Sequence, residues 1–293
     1  MRIAFVVNDI QTELADYTTI HLGMNAVKLG HDVYYMSVGD FAIDPEGRIN
    51  AHATAAPARH HRSSEVFLQE LQKHSSPDQI SVDELDVLML RNDPALDATA
   101  RPWARRAAIN FGRFAMQHGV LVLNDPNGLD RTFNKLYLKL LPSWTYPRTL
   151  ITQNKEDIKA FIRDAGGYAV LKPLFGSGGR GVFVVRPQDG PNLNQMIESN
   201  TRDGYVIVQE FLIEGVKGDT RLFVMDKEPL RCKGHIAAIH RQRREGDDNR
   251  LLEINVLSPG GLDGASKLEG VNFFTEVIHT IEGKLKDRGQ ARH

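Results

Sequence analysis

The sequence has almost no cysteine and almost no net charge. Its 293 residues include one cysteine, Cys232, which excludes an internal disulfide and fits a reducing compartment. Thirty-six basic residues stand against 37 acidic ones, and the formal net charge of -1 gives no overall field that would attract nucleic acid or an anionic membrane. Any anion that the protein binds must therefore be bound at a local site.

Long apolar runs are also absent. The first apolar stretch, residues 2–7, is too short for a signal-peptide core or a membrane span, and no later segment reaches about 18 consecutive apolar residues. A basic run at residues 240–244 is short, contains no aromatic residue for base stacking and is followed by acidic residues. We therefore expect a cytoplasmic protein with no nucleic-acid and no membrane partner.

The first 124 residues show the pattern of an α/β domain, in which strands alternate with amphipathic helices. Residues 39–77, which contain Pro, Gly, Ser and four histidines, predict an excursion outside the core with one short helix near 65–72. Its histidines lack metal-ligand spacing, so they are interpreted as solvated loop residues. The predicted strands are 2–7, 31–36, 85–90 and 120–124, and the predicted helices are 18–29 and 97–117.

The remainder of the chain, residues 125–293, predicts an α+β domain with hairpins and a lid subdomain at about 148–212. A helix is expected around 129–140, where Pro142 ends it. Glycine-containing loops separate the strands that follow. These strands are predicted at residues 169–172, 181–186, 205–211, 220–225 and 250–255.

The most informative local pattern is a glycine-rich loop that follows Lys172. Four glycines within residues 176–181 would allow backbone N–H groups to surround phosphate oxygens. A β-branched and aromatic stretch follows, so the loop joins two strands, whereas dinucleotide and P-loop motifs need a helix there. Lys172 and Lys135 would then hold a nucleotide from two sides; the alternative is a structural hairpin with an idle loop.

Three further segments carry polar residues that suit ligand binding. At 206–212 an apolar strand ends in Gln209 and Glu210. These residues could bind an adenine edge and a ribose, or they could equally form the polar rim of a core strand. Arg221 presents a planar guanidinium suited to carboxylate or phosphate. Polar residues 91–94 follow the third strand, where ligands bind in open α/β sheets, although a plain turn is an equal alternative.

A predicted strand at 250–255 would place Glu253 and Asn255 on one face and Leu252 and Ile254 in packing. Carboxylate and amide oxygens spaced in this way can bind Mg²⁺, and an amphipathic edge strand is the alternative. The following turn, 258–261, can offer backbone N–H groups to a substrate carboxylate. The basic loop at 240–244 could bind a small anionic substrate, and a solvated loop without a ligand is an equal alternative.

These landmarks, in this order, resemble the bacterial glutathione synthetases of the ATP-grasp superfamily over residues 1–284. The resemblance rests on the ordered set formed by the opening strand and the segments 36–40, 90–94, 134–136, 171–181, 218–221 and 252–259. It implies an ATP-dependent carboxylate–amine ligase with an α/β N-terminal domain followed by an α+β ATP-grasp domain.

The resemblance also implies a role for individual residues. Lys172 and Arg221 would be catalytic, and Glu253 and Asn255 would bind metal. The nucleotide would contact Lys135, Lys172, Gly176, Ser177, Gly178, Gly179, Gly181, Gln209, Glu210, Phe211, Leu212 and Asp219. The substrate would contact Arg91, Asp93, Arg221, Arg241, Ser258, Pro259, Gly260 and Gly261.

The reaction implied by the resemblance joins γ-glutamylcysteine to glycine through an acyl phosphate, using ATP and Mg²⁺ or Mn²⁺, in a homo-oligomer. One departure stands out. Several dozen residues that the family has before the strand with Glu253, including an aspartate that binds metal, are missing near 248–250. Two alternatives follow: a relative with impaired catalysis that still binds nucleotide, or a ligase for another acid and amine.

Overall fold

A computed structural model describes residues 1–58, 61–73, 77–97, 99–212, 218–242 and 252–290. The chain forms two compact units. The first unit comprises Met1–Asp130, Thr220–Ile239 and Asn255–His293, and the second unit comprises Arg131–Asp219 and His240–Ile254. The predicted order of an α/β domain followed by an α+β domain is confirmed, and the boundary at 124/125 stays a prediction.

The strands and helices follow one another along the chain with short connections. The strands are β1 (Arg2–Val7), β2 (Asp32–Ser37), β3 (Phe41–Ile43), β4 (Ile49–Ala55), β5 (Asp78–Ser81), β6 (Val87–Leu90), β7 (Leu121–Leu123), β8 (Thr149–Thr152), β9 (Ala169–Pro173), β10 (Phe183–Val185), β11 (Val206–Glu210), β12 (Gly218–Leu222), β13 (Val224–Met225), β14 (Glu228–Pro229), β15 (Arg231–Cys232), β16 (His235–Ile236) and β17 (Ala238–Gln242). The α-helices are α1 (Thr18–Lys28), α2 (Ser64–Lys73), α3 (Ala107–Gln117), α4 (Pro126–Arg131), α5 (Lys155–Asp164), α6 (Leu193–Thr201), α7 (Leu262–Glu269) and α8 (Phe273–Gln290).

The first unit is built on a sheet with the strand order β3-β4-β2-β1-β6-β7, to which β5 adds by pairing with β4. Strand β1 is parallel to both β2 and β6, with Ile3 opposite Val33 on one side and Val87 on the other. Its residues from Ile3 to Val7 are fully buried, as expected for a parallel strand covered on both faces. From β1 the chain moves first to β2 on one side and later to β6 on the other, so the connection direction reverses between β1 and β6.

The predicted excursion at residues 39–77 is wrong, because β3 and β4 belong to this sheet and α2 buries Phe67 and Leu71 in its core. Strand β4 was not recognised because small alanines occupy some of its buried positions, so its sequence shows no clear alternation of large apolar and polar residues. The histidine interpretation is wrong for His61, whose side chain is buried with Nε2 3.1 Å from Glu70 Oε2. His52 is exposed as predicted, and His60 and His74 lie outside the described residues.

Two predicted helices are shorter than expected. The helix predicted at 97–117 starts only at Ala107, after a 3₁₀ helix over Pro102–Arg106, because proline disfavours α conformation in the residue before it. The helix predicted at 129–140 is divided into α4 and a 3₁₀ helix over Lys135–Leu140. Asn134 Oδ1 accepts the N–H of Leu136, so a new N-cap starts the second piece.

We expect Gly23→Ala to destabilise the first unit by about 1–3 kcal/mol, because the added carbon overpacks a full core. A Cβ at Gly23 would overlap the hydroxyl of Tyr35 and stand 2.8 Å from its Cζ. Tyr35 is fully buried and its hydroxyl donates to Thr19 O at 3.2 Å, so the ring has no free space. Urea unfolding measures the change. The matched control is Gly283→Ala in α8, where no atom of another described residue would lie within 4 Å of the added carbon and alanine should stabilise by about 0.5–1 kcal/mol.

The second unit contains an antiparallel sheet with the order β10-β9-β11-β8. Helices α5 and α6 cover it, and Ile158, Phe161 and Ile197 pack against Leu171 and Val208 of the sheet. The hairpin predicted around the glycine loop is confirmed, because β9 and β10 are antiparallel partners.

The later segments of the chain form short strand pairs, and helices α7 and α8 belong to the first unit. Strand β12 pairs with β17, β13 with β14, and β15 with β16. Helix α8 packs on α1, where Asn272 Nδ2 donates to Asn25 Oδ1 at 2.7 Å. Within the described ranges, no helix has both the length and the apolar character needed to cross a membrane.

Candidate nucleotide and substrate sites

The glycine loop between β9 and β10 depends on backbone conformations that favour glycine. Gly176, Gly178, Gly179 and Gly181 have φ angles of 134°, 64°, 73° and 72°. A side chain at these positions would be strained, which explains why the loop needs so many glycines. Ser177 is half-buried, and its carbonyl accepts the N–H of Arg180 at 3.4 Å inside the loop. Glycine-rich turns of this kind can present their remaining N–H groups to an anion of the size of phosphate.

Lys135 is attached to the beginning of this loop. Its Nζ donates to Gly176 O at 2.8 Å and to Pro173 O at 3.3 Å, and its backbone N–H donates to Leu174 O at 3.2 Å. The residue opens the 3₁₀ helix at 135–140 rather than lying on an α-helix. The ammonium therefore stands beside the loop, as a phosphate ligand must.

Lys172 lies on β9 beside β11, and its Nζ donates to Gln209 Oε1 at 2.7 Å. Burial lowers the pKa of Lys172, the neighbouring Lys135 lowers it further, and the Glu253 carboxylate raises it. These charges influence one another only because they are close in space. The structure thus brings Lys135, Lys172, Glu253 and the glycine loop together within the second unit.

The predicted adenine segment uses its side chains within the protein. Gln209 is buried, and its Nε2 donates to Thr149 Oγ1 at 3.0 Å, while Glu210 Oε1 accepts the N–H of Arg148 at 2.9 Å. The Phe211 ring lies 6.1 Å from that of Tyr168. Leu212 and Asp219 are half-buried. Strand β11 pairs with β8 on one side and β9 on the other, and the N–H of Glu210 donates to Arg148 O at 2.9 Å. Adenine contacts by this segment stay a prediction.

The strand predicted at 250–255 is wrong for the described part, because residues 252–256 have no regular secondary structure; residues 250 and 251 lie outside the described ranges. Instead of a neighbouring strand, Tyr137 binds this backbone. Its hydroxyl accepts the N–H of Ile254 at 2.6 Å and donates to Ile254 O at 3.0 Å. Ile254 is 39% exposed, so it does not alternate into packing as predicted.

Tyr137 is therefore a residue that sequence reasoning missed, and it fixes the segment that carries Glu253. Burial raises the pKa of Tyr137 to about 12, and the Glu253 carboxylate contributes in the same direction. The hydroxyl consequently stays protonated at physiological pH, and can both donate and accept.

We expect Tyr137→Phe to lower the metal-dependent part of ADP affinity about tenfold and to cost about 1–2 kcal/mol of stability, because Ile254 loses both hydrogen bonds. Calorimetric titration with ADP, with and without Mg²⁺, measures the first effect. Tyr146→Phe is the matched control: this buried tyrosine of the same unit has no hydroxyl hydrogen bond within the described residues. Equal loss with and without Mg²⁺ would contradict a role in placing Glu253.

Glu253 and Asn255 are the candidate metal ligands. The described residues include no group of three or more His, Cys, Asp or Glu side chains arranged for a metal ion. Mg²⁺ typically takes one or two protein carboxylates and completes its shell with water and phosphate oxygens. A single carboxylate beside two ammonium groups fits a metal of this kind. Asn255 is exposed and belongs to the first unit, so its position relative to Glu253 stays a prediction.

The predicted substrate residues converge in the first unit. Arg91 Nη2 donates to Pro259 O at 3.1 Å, and Arg221 Nη1 donates to Gly260 O at 2.7 Å. Gly261 adopts a φ of 95° as it starts α7. The turn at 258–261 thus presents carbonyl groups to both arginines, and Ser258 is exposed.

Asp93 and Arg241 differ from these residues. The Asp93 carboxylate accepts the N–H of Ala95 at 2.9 Å and its own N–H donates to Asn8 Oδ1 at 2.7 Å, which makes it part of a turn. Arg241 lies in β17, but its side chain and residues 243–251 lie outside what the structure describes. The basic loop therefore stays a prediction.

Comparisons with known proteins cover both units. The sequence model of the prokaryotic glutathione synthetase N-terminal domain matches residues 1–130, and that of the ATP-grasp domain matches residues 134–249. The chain is 32% identical to the glutathione synthetase of Gloeobacter violaceus over 324 aligned residues, covering 95% of each protein. It is 31% identical to that of Vibrio parahaemolyticus over 269 residues, covering 91% of this chain and 76% of the relative.

Two solved structures show the same fold. The ATP-grasp ligase PsnB in complex with a phosphomimetic variant of its minimal precursor, Mg and ADP superposes with a TM-score of 0.58 at 15% identity, over 96% of this chain and 98% of PsnB. The macrocyclase MdnC from Microcystis aeruginosa superposes with a TM-score of 0.51 at 13% identity, over 93% of this chain and 84% of MdnC.

The alignment with the Gloeobacter protein also shows a difference in length. It extends over 324 positions, more than the 293 residues of this chain, so the relative has residues that face no counterpart here. The match to the ATP-grasp domain ends at residue 249, beside the position near 248–250 where the resemblance implies a missing segment.

Proposed function

The chain belongs to the prokaryotic glutathione synthetase family and is an ATP-dependent carboxylate–amine ligase, and we propose that it joins γ-glutamylcysteine to glycine. The observation that carries this proposal is the grouping of Lys135, Lys172 and Glu253 beside the glycine loop. In this reaction the substrate carboxylate receives the γ-phosphoryl group of ATP. The glycine nitrogen then forms the new C–N bond as the C–O bond to phosphate breaks and the amine loses a proton.

The residues of the second unit would stabilise charge on the transferred phosphoryl group. Lys172 and Lys135 neutralise phosphate oxygens, and the N–H groups of the glycine loop enclose them. Glu253 and Asn255 would hold Mg²⁺, or Mn²⁺ in its place, which supplies further positive charge at the phosphates. Arg91, Arg221 and the turn at 258–261 would bind the peptide substrate. We further propose a cytoplasmic homo-oligomer without nucleic-acid or membrane partners, in line with the balanced charge of the chain.

An assay of ADP release tests the reaction. The purified protein is incubated with ATP, Mg²⁺, γ-glutamylcysteine and glycine, and glutathione is identified by mass spectrometry. We expect ADP release to require both the dipeptide and glycine. ADP release that does not respond to the dipeptide would contradict the proposal. Replacing glycine with other small amines separates it from a ligase of a different acceptor.

A second candidate function, nucleotide binding with impaired ligation, is favoured by the residues that the Gloeobacter relative has and this chain lacks. Loss of one preorganised charge-stabilising group commonly costs about 100- to 1000-fold in rate. If the protein binds ADP in calorimetry and also turns over at the rate of the Gloeobacter enzyme, this candidate is excluded. If the protein binds ADP tightly but its turnover is about 100- to 1000-fold lower, this candidate is favoured.

A further inference from the structure

Glu13, Thr19 and Arg91 form a buried polar cluster in the first unit, of which the sequence predicted only Arg91 as a site residue. Glu13 and Arg91 are each only 9% exposed, and Thr19 is 2% exposed. Glu13 follows the turn after β1, Thr19 lies in the first turn of α1, and Arg91 follows β6. Three separate segments therefore contribute one charged or polar group each.

The described residues use only part of the hydrogen-bonding capacity of this cluster. Arg91 has five N–H donors, of which Nε binds Thr19 Oγ1 at 3.1 Å and one on Nη2 binds Pro259 O at 3.1 Å. Glu13 Oε2 and the neighbouring Thr18 Oγ1 are buried and have no hydrogen-bond partner in the part of the chain that the structure describes. Glu13 and Arg91 attract each other electrostatically, but no direct hydrogen bond joins them among the described residues. Buried charges left in this way are costly unless a ligand completes them.

The position of the cluster in the sheet is the position of a binding site. In open α/β sheets, ligands bind outside the carboxyl ends of the strands, where the connection direction reverses. Here the reversal falls between β1 and β6, and Glu13 and Arg91 follow the carboxyl ends of those two strands. Helix α1 also starts there with no side-chain cap on its first N–H groups, and such N–H groups favour an anion.

A ligand that completes the cluster must carry a negative group for Arg91 and a positive donor for Glu13. We propose that Glu13 and Arg91 bind the zwitterionic α-amino acid head of the acid substrate, with Glu13 on the ammonium group and Arg91 on the carboxylate. This proposal rests on the proposed function and extends it, because it states which end of γ-glutamylcysteine the first unit recognises. Glu13 becomes a specificity-determining residue of the ligase.

Three dipeptides test the contact of Glu13 with the ammonium group and that of Arg91 with the carboxylate separately. γ-Glutamylcysteine carries both head groups, glutarylcysteine lacks the ammonium, and γ-aminobutyrylcysteine lacks the carboxylate. Calorimetric titration of each into the wild-type protein should show γ-glutamylcysteine bound about 10- to 100-fold more tightly than either analogue, as expected for loss of a charged hydrogen bond. Glu13→Gln should remove the preference over glutarylcysteine only, and Arg91→Gln the preference over γ-aminobutyrylcysteine only.

Controls separate this inference from the proposed function. Glu46→Gln, at an exposed position of the same unit, should leave all three affinities unchanged, and urea unfolding reports whether each variant is folded. If glutathione is formed but the analogues bind as tightly as γ-glutamylcysteine, the head-group proposal is overturned while the function stands. If the predicted preferences appear without ligation, the proposal holds and the function fails. Absence of γ-glutamylcysteine binding, or an equal loss for all dipeptides in Glu13→Gln, overturns the proposal.

Affinity for γ-glutamylcysteine should also depend on pH. Burial raises the pKa of Glu13 to about 7, partly offset by Arg91, and among the described residues the buried Tyr35 also interacts with it. A protonated Glu13 cannot attract an ammonium group, so affinity should fall about tenfold for each pH unit below 7. In Glu13→Gln, and with glutarylcysteine, the affinity should stay constant between pH 5.5 and 7.5. A constant affinity in the wild-type protein would contradict the assignment.

Discussion

Lys172→Met is expected to lower the turnover of ATP by about 100- to 1000-fold, the usual cost of removing one preorganised charge-stabilising group. Lys172 is held by Gln209 at 2.7 Å, beside Lys135 and the glycine loop, and methionine keeps its length without its charge. The loss should appear in kcat, because the ammonium would meet charge that develops as the phosphoryl group is transferred. Steady-state kinetics of ADP release measure it.

The control for this substitution is Lys159→Met on α5 of the same unit, where the lysine binds Glu156 at the surface. That variant should stay within about twofold of the wild type, because exposed ion pairs contribute little. If Lys172→Met also stays within that range, Lys172 is not part of the reaction site.

Glu253→Gln should have an effect of similar size, about 100-fold or more on turnover. The substitution keeps the size of the side chain but removes the only charged ligand proposed for the metal, so the Mg²⁺ concentration needed for half-maximal activity should rise. ADP affinity without Mg²⁺ should change little or improve, since the carboxylate repels phosphate in the absence of metal. Titration of activity against Mg²⁺ at saturating ATP gives the turnover and the Mg²⁺ concentration needed for half-maximal activity. Calorimetric titration gives the ADP affinity without Mg²⁺.

Glu156→Gln provides the comparison for Glu253→Gln, because Glu156 is exposed on α5 and pairs only with Lys159 among the described residues. It should leave the Mg²⁺ requirement unchanged. A Glu253→Gln protein with a normal Mg²⁺ requirement would move the metal away from this segment.

The features that could be predicted from sequence are those that one residue type enforces locally. Four glycines close together require unusual φ angles, and the loop between β9 and β10 has them. Continuous apolar runs predicted the parallel strands β1 and β6, because strands covered on both faces have no polar side. Lysines on either side of the loop were recognisable because phosphate sites need positive charge.

The features that could not be predicted depend on contacts between distant segments. Tyr137 replaces a neighbouring strand for Ile254, which no pattern around either residue indicates. Glu13 gains its role only when the fold places it near Arg91, 78 positions further along the chain. The buried strand β4 escaped recognition because its inward residues include small alanines.

The proposed ligase reaction requires Lys135, Lys172, Glu253 and the glycine loop to form one nucleotide site. A crystal structure of the protein with ADP and Mg²⁺ tests this most directly. We predict the β-phosphate within hydrogen-bonding distance of Lys172 Nζ and the glycine-loop N–H groups, with Glu253 bound to the metal. A nucleotide bound elsewhere, with Lys172 still hydrogen-bonded to Gln209 and Glu253 in solvent, would show that these residues do not form the nucleotide site.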